Sequence, residues 1–211
     1  MLKWINLSLP ISEGMAVYKN LEEKRPAIEN TRSFAVHGMH ESTLHLPLHT
    51  GTHVDYPLHA LPSGKNSSDF HCFPAEFTAL VLDLAEAPPP SIALAMVRHL
   101  PLGDVEAVFF KTRKTILTEF DPLFPWLSGE AAAWLATFPL KFVGIDQPGI
   151  ERSQPAHETH THLLKKDILI FEGLDLSQIG SGLRTIRAFT LGIQGVEAEP
   201  VMIYAIHKEI W

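Results

Sequence analysis

Apolar and polar positions alternate with a period of two in several short runs, and proline, glycine and polar clusters separate those runs. Trp4 to Leu9 alternates and is rich in strand formers. Asn20 to Arg32 is charged and polar, which predicts a loop or short excursion. Part of Ser33 to Leu48 alternates, with Phe34, Val36, Met39, Leu44 and Leu46 among polar residues, as a half-buried strand does. Further strands are predicted over Phe77–Leu84 (FTALVLDL), Ala107–Thr112 (AVFFKT) and Phe142–Asp146 (FVGID), within Asp167–Leu174, and over Ile186–Gly192 and Val201–Ile206.

Helical spacing is confined to three stretches. Ser91 to Leu100 reads as a helix with Ser91 as its N-cap, Ser128-Gly129-Glu130-Ala131 opens a helix to about Thr137, and His157 to Lys166 reads as a third. Leu61 to Asp69 is a loop, and Pro88 to Pro90 is a surface turn. Strands lead and helices are interspersed, so the prediction is an α/β or α+β chain forming one domain over 1–211.

Composition narrows the classes. With 211 residues, 45% hydrophobic and 19% charged, the chain can bury one sizeable core. A net charge of −7 argues against a phosphate-backbone binder and for a small-molecule substrate. No run approaches the roughly 20 apolar residues of a membrane span. The single cysteine, Cys72, excludes a cysteine-built zinc site and reads as an inert thiol. Without a signal-peptide pattern after Met1, the expected compartment is the cytoplasm.

Chemistry concentrates in HTGTHVDYPLH, residues 49–59, which holds His49, His53, Asp55 and His59. Imidazole nitrogen and carboxylate oxygen suit a borderline divalent cation: zinc fits this set, with manganese as the alternative. Gly51, Pro57 and the β-branched residues argue for an extended or looped backbone. His49, His53 and Asp55 are the natural ligand set, and three protein ligands leave a position open for water. His59 is either a fourth ligand or a general acid/base beside that water.

A second cluster follows at His157, His160 and His162, with Glu172 ending an apolar run. A helix would put His157 and His160 on similar faces and turn His162 away. Glu172 is a solvated cap or a buried functional group. Asp146 orients a ligand or shapes its loop. Trp126, Trp134 and Phe138 read as packing, and Tyr18, Phe70 and Phe73 as candidate pocket walls.

HTGTHVDYPLH resembles the HxGTHxDxPxH signature of the cyclase-type metal-dependent hydrolases, which include bacterial kynurenine formamidases and isatin hydrolases. FVGIDQPGIE resembles the family's GxDxPS element, and HTHLLKKDILIFEGL its later ligand segment. FPWLSGEAAAWLA resembles the helix start between them. The likeness runs from about Trp4 to Ile206. It implies a swivelling β/β/α fold, a mixed sheet curled towards a barrel with helices outside. It also implies one metal on His49, His53 and Asp55, and a second, where present, on Asp55, His160 and Glu172. His59 would be the acid/base.

The same likeness implies a homodimer or larger homo-oligomer. The activity expected from it is hydrolysis of a small amide, aromatic in character, as in N-formylkynurenine hydrolysis. An isatin-type cyclic amide and a non-catalytic ligand-binding protein of the same fold are the alternatives. A cupin-like oxygenase built on His160 and His162 is disfavoured by the long upstream motif. Departures fall elsewhere: Asn6 for a common Asp, MAVYKNLEEK for an aromatic-Pro-Gly element, Gly149 for serine and Gly173 for asparagine.

Overall fold

The computed structural model describes residues 2–208 apart from 153 and 155, so the ends of the 1–211 domain read from sequence lie outside the described residues. Twelve strands follow in chain order: β1 (Leu2–Asn6), β2 (Ala27–Arg32), β3 (Glu41–His45), β4 (His53–Asp55), β5 (Ala75–Asp83) and β6 (Ser91–Ile92), then β7 (Ala107–Lys111), β8 (Trp126–Leu127), β9 (Phe142–Ile145), β10 (Leu169–Glu172), β11 (Gly182–Thr190) and β12 (Ala198–Lys208). The α-helices are α1 (Phe34–His37), α2 (Leu94–Val97), α3 (Gly129–Leu135) and α4 (Glu158–Leu164).

Eight strands form one mixed sheet in the order β1-β12-β11-β5-β7-β9-β10-β4, and β4 also pairs with β12. That last pairing closes seven of the strands into a barrel, with β1 added outside the ring on β12. Closure removes the sheet edges that would otherwise need covering. β5, β7, β9 and β10 run parallel to their neighbours in that series, and the remaining pairs are antiparallel.

Alternation along the strands divides the apolar residues into two cores. Phe77, Phe109, Phe142, Phe171 and Val54 fill the barrel. Their neighbours Val108, Phe110, Val143, Ile145 and Ile170 point outward against Ala131, Leu135, Leu163 and Leu164 of α3 and α4. The four phenylalanines form a contiguous aromatic cluster, with Phe77 and Phe142 4.4 Å apart and Phe142 and Phe171 5.1 Å apart between ring centroids. The interior is therefore packed and offers no channel; β7, β9 and β10 are buried on both faces, which is why they read as continuous apolar runs.

The expected mixed, curled sheet with outer helices is what the chain forms. Ser128 caps α3 by accepting the Ala131 N–H at 3.2 Å. Three local expectations are corrected. Ser91 caps no helix: Ser91–Ile92 pairs with Trp126–Leu127, and only a short helix follows at α2. Asn20–Arg32 is not all loop, since it contains β2. Ser33–Leu48 is α1 plus β3, and β3 is exposed throughout. The β2–β3 hairpin covers little of its own chain, so its apolar residues have nothing to be half-buried against.

Candidate metal centre

β4 is the keystone of the site. Because side chains alternate along a strand, Val54 enters the barrel core while His53 and Asp55 share the opposite, outward face. β10 lies antiparallel beside it, with Glu172 opposite His53 and Ile170 opposite Asp55. Glu172 shares the outward face of Ile170, so three polar groups meet on the outside of the barrel. α4 covers them: its buried side presents His160 along with Leu163 and Leu164.

The backbone is fastened to hold this register. The Thr52 hydroxyl donates to the Gly173 carbonyl at 2.5 Å and accepts the Leu9 N–H at 2.8 Å. Gly51 and Gly173 both adopt left-handed conformations, with φ of 73° and 64°, which glycine reaches without steric cost. A Cβ on Gly173 would lie 2.4 Å from the Gly51 carbonyl oxygen, so the two loops meet backbone to backbone. This close approach accounts for glycine immediately after Glu172.

The donor atoms converge. His53 Nε2 lies 3.5 Å from Asp55 Oδ1 and 3.4 Å from Glu172 Oε2. His160 Nε2 lies 3.5 Å from Asp55 Oδ2 and 3.4 Å from Glu172 Oε1. His49 joins from the preceding turn, with Nδ1 3.1 Å from Asp55 Oδ1 and Nε2 3.3 Å from Glu197. His53 Nδ1 is 3.0 Å from the Gly51 carbonyl, which can only accept, so Nδ1 carries the proton and Nε2 faces the cluster.

Three triads among the described residues could each reach a single ion, His53–Asp55–Glu172, His49–Asp55–His59 and Glu151–His157–His160, and Asp55 belongs to the first two. His53 Nε2, both Asp55 carboxylate oxygens and His160 Nε2 are buried without a hydrogen-bond partner among the described residues. Buried polar atoms are ordinarily paired, and leaving one unpaired costs about 1–3 kcal/mol. Nitrogen and oxygen donors left open in this way fit a divalent cation.

The electrostatics are those of mutually stabilised opposite charges. Burial and the Asp55 charge push the Glu172 carboxyl up, but His160 and His53 outweigh them and hold it at about 2. Burial likewise opposes ionisation of Asp55, and contacts with His160, His49 and His53 carry it well below the usual carboxylate range. His59 sits on the short turn Pro57–His59 with its ring 4.3 Å from that of His49. It reaches solvent, yet the atoms packed around it desolvate the imidazole and lower its pKa, despite the opposing pull of Asp55.

The six residues singled out from the sequence, His49, His53, Asp55, His59, His160 and Glu172, thus meet at one place. Others do not. His162 is exposed on the far side of α4. Asp146 is a structural clasp: it accepts the Thr112 N–H and hydroxyl and the Arg113 N–H, at 2.8, 2.6 and 2.9 Å. Phe70, packed on Tyr56, and Phe73, packed on Phe142 and Phe171, line a separate cavity of about 220 Å³ and not the one over the histidines. Tyr18 does, on a cavity of about 390 Å³ that opens over His49, His59, His160 and Glu172.

Glu151 carries no mark in the sequence beyond its place after GIDQPG. It is buried, its Oε1 lies 2.6 Å from His157 Nδ1, and its Oε2 accepts the His160 backbone N–H at 3.2 Å. The same Oε2 lies 3.3 Å from His160 Nδ1, on the edge of the ring opposite the cluster. Glu151 is therefore placed to orient His160. Only the fold, which brings the loop after β9 against the start of α4, makes that contact visible.

Comparison with known proteins agrees with this architecture. The Cyclase family model matches residues 5–152. Cyclase-like protein 3 of Oryza sativa subsp. japonica is 31% identical over 171 residues, 76% of this chain and 63% of the rice protein. Kynurenine formamidase of Salinibacter ruber is 29% identical over 204 residues, 93% of this chain and 94% of that protein. The predicted metal-dependent hydrolase from Bacillus stearothermophilus superposes with a TM-score of 0.87 at 31% identity, covering 99% of this chain and all of that one. Isatin hydrolase A from Ralstonia solanacearum shares the fold, with a TM-score of 0.80 at 18% identity over 98% of this chain and 92% of its own. By its matched family model, its fold and its relatives, the chain belongs to the Cyclase family.

Proposed function

We propose that the chain is a metal-dependent hydrolase that cleaves the carbon–nitrogen bond of a small aromatic amide, in the manner of an arylformamidase. The observation that carries this reading is the set of unpartnered buried donors on His53, Asp55 and His160, next to a cavity lined by His49, His59, His160 and Glu172. His49, His53 and Asp55 would hold one divalent cation, and Asp55, His160 and Glu172 a second. Zinc suits these donors, with manganese as the alternative. When bound, the cation supplies Lewis acidity that polarises a carbonyl and makes a water acidic.

The protein's own residues do the rest. His53 and His160 turn Nε2 towards the reacting region and are held there from behind by the Gly51 carbonyl and Glu151. His59, at the end of the short 3-10 turn Pro57–His59, stands at the cavity wall and moves a proton to the departing nitrogen. A second reading, opening of a cyclic amide, draws support from the fold shared with isatin hydrolases. The kynurenine formamidase relatives, at higher identity, favour the acyclic amide. Assay of the zinc- and manganese-loaded protein with formanilide, N-formylkynurenine and isatin tests both. Turnover of none of them by fully loaded protein would sink the hydrolase reading and favour a non-catalytic binding protein.

We also propose that the protein works as a homodimer or larger homo-oligomer in the cytoplasm. Every residue of β2 and β3 is exposed, and an isolated two-stranded hairpin is marginal in water. Phe34 and Val36, 66% and 75% exposed, sit between the two strands with Ile28 and Leu44 nearby. A second copy of the chain would cover this face. The unpaired Cys72 supports a reducing compartment.

A further inference from the structure

The histidines of the cluster stand on different kinds of backbone. His53 is on β4 and His160 on α4, whereas His49 lies in the turn that precedes β4. A strand or helix sets the direction in which a side chain leaves the backbone, and a turn sets it less firmly. The first two rings are also braced from behind, His53 by the Gly51 carbonyl 3.0 Å from Nδ1 and His160 by Glu151 3.3 Å from Nδ1. His49 has a counterpart in Glu197. Its Nδ1 lies 3.1 Å from Asp55 Oδ1, inside the cluster, and its Nε2, on the other edge of the ring, lies 3.3 Å from Glu197 Oε1.

The sheet holds Glu197 in this place. It stands at the bend just before β12, where the β12–β4 register sets Ala198 opposite Asp55. Its carbonyl accepts the Tyr56 N–H at 2.9 Å, which fastens it beside the strand that carries Asp55. That bond belongs to the backbone and survives replacement of the side chain. The Glu197 side chain is 40% exposed, and among the described residues its carboxylate forms an ion pair with His49 alone.

The His49 ring packs on His59, with centroids 4.3 Å apart and planes at 41°, a contact that either edge of the ring could make. Turned by half a rotation about its Cβ–Cγ bond, the ring would put carbon where Nδ1 and Nε2 now stand. Only the observed arrangement lets Nε2–H donate to Glu197 while Nδ1 keeps its lone pair for a cation.

We propose that Glu197 is a positioning residue that accepts the Nε2–H of His49 and so presents Nδ1 to a cation shared with Asp55. It has this role only where His49 is a ligand, as in the proposed function. A carboxylate that orients a ligating histidine in this way contributes about 10–100-fold to metal affinity.

The test uses the full chain as wild type, Glu197→Ala and Glu197→Gln, and needs no substrate. Competition with a chromogenic chelator measures zinc affinity, and NMR of the ring nitrogens of the zinc-loaded wild type reads which edge of His49 meets the metal. In Glu197→Ala at least one zinc Kd is expected to rise about 10–100-fold, while Glu197→Gln, which keeps an acceptor oxygen before Nε2, stays close to the wild type. His49 is expected to carry zinc on Nδ1 and a proton on Nε2. Wild-type affinity in Glu197→Ala overturns the assignment, as does a Glu197→Gln as weak as the alanine variant, or zinc on Nε2 of His49. If the wild type binds no zinc, the metal reading is what fails. Crystal structures of the metal-free wild type and Glu197→Ala then decide Glu197: a His49 ring in the same place in both overturns its role, and a ring that leaves Asp55 in the variant upholds it.

Discussion

His53 and Glu172 stand directly opposite each other across the antiparallel β4–β10 pair, with Nε2 3.4 Å from Oε2. Their register joins the two halves of the site, because His53 brings Asp55 with it on the same strand face and Glu172 lies beneath His160. A one-residue slip in this pairing would turn His53 and Asp55 into the barrel and Val54 out of it. The Thr52–Gly173 clasp and the backbone contact of Gly51 with Gly173 oppose that slip.

His59→Ala is expected to keep the metal content of the wild type and lose about 10²–10⁴-fold in kcat, the range of a general acid/base. Metal analysis and steady-state kinetics on one preparation check it. Full activity in the variant would remove His59 from proton transfer.

Glu151→Ala is expected to weaken metal binding 10–100-fold, as loss of a group that orients a ligating histidine does. Competition with a chromogenic chelator measures this, and Glu151→Gln, which keeps an acceptor oxygen near His160, should lie between the two. Wild-type affinity in Glu151→Ala would confine the residue to loop structure.

Asp146 gives a pH signature. Burial raises its pKa to about 6, outweighing the donors from Thr112 and Arg113. Its unfolded value is near 3.9. The folded protein binds this proton more tightly than the unfolded chain. Its stabilising effect is therefore complete below about pH 4 and is lost as pH rises through 6. Asp146→Asn abolishes that titration, so the variant should gain about 3 kcal/mol relative to the wild type between pH 4 and 7. Denaturant unfolding at both pH values reads the difference, and parallel profiles would contradict it.

Replacing Phe34 and Val36 with Ser and Asp should reduce the assembly to single chains, as measured by sedimentation equilibrium. The wild type should sediment at no less than twice the mass of one chain. A monomeric wild type would leave the exposed hairpin without the proposed cover.

What was legible in the sequence was local or carried by a long pattern. Ala75–Asp83 and Ala107–Lys111 could be read because buried apolar runs form strands wherever they pack. The histidine motif could be read because its ligand types crowd into eleven positions. Ser91 was misleading because its short pairing with Trp126 is non-local, and a capping residue looks the same without its helix. Phe34, Val36 and Leu44 carried an apolar pattern, yet all three are exposed, because no other part of the described chain packs over the hairpin. Glu151 was not legible as a site residue, since its meaning comes from His160, which the fold places opposite it.

The central claim is that the donors on β4, α4 and β10 hold a divalent cation that hydrolysis requires. Elemental analysis of the purified wild type and of Asp55→Ala, paired with amide turnover before and after chelation, tests it most directly. One or two zinc or manganese ions per wild-type chain are expected, with both metal and turnover lost in Asp55→Ala and turnover restored to the chelated wild type by added metal. A wild type that binds no divalent metal, or one that hydrolyses amides unchanged after its metal is removed, would contradict the account.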